Sequence, residues 1–153
     1  MDIMWAELTQ GLLTTRELLH VLIRLAAATL LGAVVGVQRE KAGKPAGLRT
    51  HMLVCLGTTV LIISCTSVGM SSESLSRIIQ GIVTGIGFLG AGSILKLNEE
   101  RDIQGLMTAA GVWMTAAIGV AVGLGSLGVA LLSTLFTLII LSVLGRLERH
   151  VAN

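Results

Sequence analysis

Five stretches of roughly twenty mostly apolar residues follow one another along this chain, and that pattern leaves few folds open. Each is long enough to cross a hydrocarbon layer about 30 Å thick as a helix rising about 1.5 Å per residue. The spans run about 18–37, 48–68, 75–97, 103–124 and 127–144. The chain is 53% hydrophobic and 13% charged, roughly half the charge of a soluble domain, so lipid is its main solvent. Nineteen glycines against one proline sit inside apolar runs, which excludes collagen-like and proline-rich linker classes. So rich a content of aliphatics excludes disorder. A net charge of +2 is too small for nucleic-acid binding by bulk electrostatics. The expectation is an all-α membrane protein, a compact polytopic bundle of about five transmembrane helices.

Residues 1–17 form either an amphipathic segment lying in the interface, with Trp5 at headgroup level, or a frayed terminus. Residues 18–145 form the transmembrane domain, and residues 146–153 a tail. Arg39, Lys41, Lys44, Arg49, Lys96, Arg101, Arg146 and Arg149 all fall on one side of the spans. The positive-inside rule makes that side cytoplasmic, with the amino terminus outside. Cys55 and Cys65 would stand about 15 Å apart along a helix, beyond disulfide reach, and read as small buried apolar residues. No metal-ligand spacing of cysteine or histidine appears, so no metal or cofactor is expected.

A shift of 58 residues lays Leu31-Gly32-Ala33 on Leu89-Gly90-Ala91, and Gly47-Leu48-x-Thr50 on Gly105-Leu106-x-Thr108. Each unit reads as a small-residue helix, a polar connection, then Gly-Leu-x-Thr opening the next helix. Two helices per unit give both units the same orientation, a two-plus-two parallel repeat with a fifth helix added.

The third span carries Gly81, Gly85, Gly87, Gly90 and Gly92. Two readings stand. Bare backbone admits close helix packing, which lipid does not otherwise drive, or a pliable helix lines a cavity with Gln80 and Thr84. The fourth span is thin in the same way, with Gly105, Gly111, Ala116 and Gly119, and Trp113 is its one bulky residue. The other polar stretch, Gln38 to His51, supports either headgroup anchoring or a cluster closing one mouth of the bundle. That cluster comprises Gln38, Arg39, Glu40, Arg49, Thr50, His51 and Asn98. Arg24, about two turns inside the first span, is expected to snorkel outward, with Glu17 and Glu73 as the alternative partners.

Three motifs in order carry a resemblance: Gly36…Arg39-Glu40…Ala46-Gly47-Leu48-Arg49-Thr50-His51, then Gly85-Ile-Gly-Phe-Leu-Gly-Ala-Gly92, then Gly105-Leu…Thr108-Ala109-Ala110…Trp113…Ala116-Ala117-Ile118-Gly119. They resemble the MgtC/SapB family over about Leu18 to Gly125. The resemblance implies a bacterial inner-membrane protein linked to magnesium limitation, acid stress, virulence and intracellular survival. It also implies a regulator that binds the F-type ATP synthase, without ATPase machinery of its own. Gln38 stands where the family usually has glutamate, which argues against a fixed carboxylate cation site there. The best-known members continue into a carboxyl-terminal soluble domain, which is not expected in this chain.

Two function classes follow. One is a non-enzymatic regulator or interaction protein, with a membrane ATPase or a second copy as partner. The other is a cation or small-solute transporter using a path between the repeats, lined by Gln80, Thr84, Thr108 and Thr50. An enzyme is not expected, because no nucleophile with a base, paired carboxylates or phosphate loop is present.

Overall fold

A computed structural model describes residues 14–96 and 103–144. Five helices account for nearly all of them: α1 Thr15–Lys41, α2 Leu48–Ser67, α3 Ser72–Gly92, α4 Leu106–Gly123 and α5 Leu127–Ile139. The last continues as a π-helical turn, Ile140–Leu144. Four helices are long and apolar enough to cross a membrane, and α5 is a shorter apolar helix. The amino-terminal segment and the tail expected at 146–153 lie outside the described residues, apart from Thr14 and the start of α1.

Local chemistry sets the helix starts. Thr14 and Glu17 form a capping box, with the Thr14 amide donating to Glu17 Oε2 at 2.8 Å and the Glu17 amide donating to Thr14 Oγ1 at 3.4 Å. Ser71 Oγ accepts the Ser74 amide at the head of α3. Gly105 caps α4 in the left-handed region at φ +98, where a Cβ would also run into the Ser93 carbonyl. That turn shortens the expected third and fourth spans. Leu95–Lys96 (β1) and Ile103–Gln104 (β2) leave the helical path and pair as a short antiparallel ladder, so α3 ends at Gly92 and α4 begins at Leu106.

α4 lies at the centre and touches every other helix. On one side Ala28, Val35, Cys55, Ile118, Val122 and Ala130 bring α1, α2, α4 and α5 together. On the other, Ile62, Ile82, Ile86, Val112 and Ala116 join α2, α3 and α4. The outward surface is Leu131, Leu132, Leu135 and Phe136 on α5 and similar side chains elsewhere, which suits acyl chains.

Helices touch where glycines remove side chains. A Cβ on Gly36 would lie 2.6 Å from the Leu48 Cα, and one on Gly32 would lie 2.7 Å from the His51 carbonyl oxygen, so α1 and α2 meet backbone to backbone. Gly123 does the same against Ile62, and Gly119 against Thr58 and Cys55. Thr59 Oγ1 fastens that crossing by donating to the Gly119 carbonyl at 2.8 Å.

The glycines of α3 behave differently, and this corrects the packing expected of them within the chain. Gly81, Gly85, Gly87 and Gly92 are exposed, and a Cβ on any of them would meet nothing within 4 Å. Only Gly90 is buried, against Ala109. The reason is register: the inward face of α3 is Ile82, Ile86 and Gly90, which places the other glycines off it.

The 58-residue repeat has contacts as well as identities. Gly32 packs on His51, and their counterparts Gly90 and Ala109 also pack together. Gly36 meets Gly47, as the counterpart Ile94 meets Gly105. Ala28 and Gly32 are the inward residues of α1, where Ile86 and Gly90 are those of α3. α5 has no counterpart and fills the groove between α1 and α4.

Candidate functional site

The last turns of α1, the first turns of α2 and the first half of α4 enclose a polar cluster. Arg39 is 3% exposed and His51 0%, although charged and imidazole groups normally avoid such depth unless held. Arg39 Nη2 donates to Thr108 Oγ1 at 3.0 Å. His51 Nδ1 lies 2.7 Å from Thr115 Oγ1, whose own proton is donated to the Gly111 carbonyl at 2.9 Å. The Thr115 hydroxyl thus links the His51 ring to the backbone of α4. Both side chains lie over Gly111: a Cβ there would be in ordinary contact with them, 3.6 Å from His51 Cε1 and 3.9 Å from Arg39 Nε. Arg39 also sits in the final turn of α1, where the carbonyl end of the helix favours a cation.

Among the described residues, Arg39 Nε, His51 Nε2 and Gln38 Oε1 are buried without a hydrogen-bond partner. The Gln38 amide donates instead to the Leu141 carbonyl at 3.1 Å, tying α1 to the π-helical turn after α5. Such turns leave carbonyls outside the regular ladder, open to a side-chain donor. Glu40 turns away from Arg39 and accepts the Leu48 amide at 2.9 Å, supplying the cap that Gly47 cannot.

The expected mouth cluster is therefore divided. Arg39 and His51 are brought together inside, with Thr108 added; Gln38 and Glu40 tie helices; Arg49 and Thr50 are exposed; Asn98 lies outside the described residues. His51 is not an interfacial anchor, because α1 and α4 bury it completely. The expected cavity lining is corrected as well. Gln80 and Thr84 face outward, where Thr84 Oγ1 donates to the Gln80 carbonyl at 2.9 Å, and Thr108 lies apart from them. Trp113 is 45% exposed and stands between two apolar clefts, one toward α3 and one toward α5. Arg24 pairs with no acid among the described residues: it reaches toward the end of the bundle expected to face outward, where Nη1 donates to the Gly123 carbonyl at 3.0 Å and caps α4.

Reading residues singly missed Thr115 and Thr59. Their signal is positional: Thr108, Gly111 and Thr115 recur at three- and four-residue steps, one face of a helix. Chemically, the cluster combines guanidinium N–H donors with an imidazole and threonine hydroxyls, and among the described residues it contains no carboxylate besides Glu40, which is engaged with the Leu48 amide. Magnesium prefers six oxygen ligands, commonly from carboxylates and water. Among the described residues no three His, Cys, Asp or Glu side chains converge.

An all-helical apolar bundle with this interior defines a polytopic membrane protein. The chain belongs to the MgtC family, whose model matches residues 25–150. It is similar to SrpB of Synechococcus elongatus, 42% identical over 137 residues, 82% of this chain and 75% of that protein. YhiD of Escherichia coli K12, whose name proposes magnesium transport, is 38% identical over 86% of the chain and 64% of its own length. MgtC of Salmonella typhimurium is 46% identical over 76% of the chain and 49% of its own length. The chain thus spans about half of MgtC. No solved structure matches it.

Proposed function

We propose that this chain is a non-enzymatic regulator or interaction protein of the bacterial inner membrane, serving adaptation to magnesium limitation and acid stress. Family membership and the magnesium-related name of YhiD support the setting. The observation that carries the regulatory reading is the character of the interior. Its apolar seam is closed by Ile62, Ile118, Val35 and Val122, each at most 1% exposed, and its polar cluster holds a buried guanidinium and, among the described residues, no converging carboxylates, a setting poorly suited to a dehydrating Mg²⁺. The partner-facing surface in this reading is the outer side of α3, where Gln80, Thr84, Gly87 and Phe88 are exposed, Phe88 at 81%. A membrane complex such as the F-type ATP synthase is the partner class. In this reading the end carrying the α1–α2 connection faces the cytoplasm, as does the carboxyl terminus; the basic residues of that connection support it.

The test is co-purification from bacterial membranes in mild detergent. The chain is expected to retain a membrane ATPase, and Phe88→Ala is expected to lose it while thermal stability holds. The second reading, a cation path between the repeats, draws on the name of YhiD. Mg²⁺ uptake into liposomes above the empty-vesicle rate, abolished by Arg39→Met, would replace the regulatory reading with that one.

A further inference from the structure

α2 and α3 touch each other sparsely, and between them runs an open apolar groove of about 870 Å³. Leu53, Gly57 and Leu61 line it from α2, and Ile78, Gly85 and Leu89 from α3. The repeat exchanges α1 with α3 and α2 with α4, so this groove is the counterpart of the one between α1 and α4. That one is filled by α5. Among the described residues nothing fills this one, and a Cβ on Gly57, Gly81 or Gly85 would meet no atom within 4 Å.

Two observations specify the occupant. The first is depth. From Leu53 to Leu61 the groove follows α2 for about 12 Å, and from Ile78 to Leu89 it follows α3 for about 16 Å. A bilayer's hydrocarbon layer is about 30 Å thick, so the groove has the depth of one leaflet and about half of what a crossing helix would fill. The second is charge. Arg49 is exposed one turn before Leu53 on the same face of α2, and helical side chains lean toward the amino terminus, so it rises from the groove's mouth toward the interface. Among the described residues the only ion pair is Glu73–Arg77, at the opposite end of the bundle, and the nearby Glu40 is engaged with the Leu48 amide.

An apolar channel one leaflet deep beneath an available guanidinium matches a lipid with a negatively charged headgroup. We propose that the α2–α3 groove holds an acyl chain of an anionic phospholipid whose phosphate is bound by Arg49. The planar guanidinium can donate two parallel hydrogen bonds to phosphate oxygens. This site is independent of the partner surface on the outer side of α3.

The full chain in mild detergent is examined by native mass spectrometry with dioleoyl phosphatidylglycerol or dioleoyl phosphatidylcholine added. Phosphatidylglycerol is expected to be retained about fivefold more than phosphatidylcholine, the effect of one basic residue at an anionic surface. Arg49→Gln should abolish that preference, while Lys41→Gln with Lys44→Gln should leave most of it. Gly85→Leu, whose side chain enters open space and so leaves the fold intact, should lower retention of both lipids. Equal retention of the two lipids by the unaltered chain overturns the proposal. So does a preference that survives Arg49→Gln, or one lost with the two lysines instead. Gly85→Leu that leaves lipid retention unchanged but splits a dimer into monomers assigns the groove to a second copy and also overturns it.

Discussion

Arg39 holds an unusual position, a guanidinium 3% exposed in an apolar bundle with its nearby Glu40 employed elsewhere. Its attachment to Thr108 satisfies one N–H, and the carbonyl end of α1 offsets part of the charge. Thr108→Val keeps the shape of the threonine but removes the acceptor, leaving a buried charged donor bare. That is expected to destabilise the bundle by about 1–3 kcal/mol, measured by detergent-titrated unfolding in bicelles. Adding Arg39→Met should recover most of the loss, since an apolar side chain of similar length no longer needs the hydroxyl. Additive losses in the double variant would mean the two residues act separately. A sequence can announce that an arginine lies near a helix end, but not its direction. Headgroup and interior are both within reach of that side chain, and here Thr108 across the bundle holds it inward.

At the scale of helices, the chain uses glycine in two ways that its sequence writes identically. Gly32/Gly36 and Gly119/Gly123 are four-residue pairs pressed on neighbouring helices, and Gly81/Gly85 is a four-residue pair facing outward. Gly36→Ala, with a would-be Cβ 2.6 Å from the Leu48 Cα, is expected to cost more than about 1 kcal/mol by forcing α1 and α2 apart. Gly87→Ala, with open space around it, should be neutral or stabilise through helix propensity. Thermal melts of the two variants compare them directly, and an equal loss in both would contradict the exposed register of α3. Helix number and connection sites were legible because apolar length and glycine turns are local properties. The inward face of α3 was not, since its isoleucines and its exposed aliphatics are equally apolar and lipid imposes no polar outer stripe. The β1–β2 ladder was hidden for a different reason: two-residue strands on either side of a polar connection are too short to show a period.

For the molecule as a whole, the α1–α2 and α3–α4 connections lie at the same end, together with the end of α5. A reporter active only after export is expected to be silent when fused after Asn153 and active when inserted at Gly69, between α2 and α3. The reverse pattern would invert the proposed orientation. The central place of α4 also has a consequence for how the protein comes into being. Synthesis from the amino terminus delivers α1, α2 and α3 to the bilayer before α4 exists. The first two can close on each other at once through Gly32 and Gly36, whereas α3 has little purchase on α2 and its inward isoleucines wait for the next helix. A ribosome that stalls before Leu106 therefore leaves one settled hairpin and one stray helix in the bilayer, the form that membrane quality-control proteases would meet first.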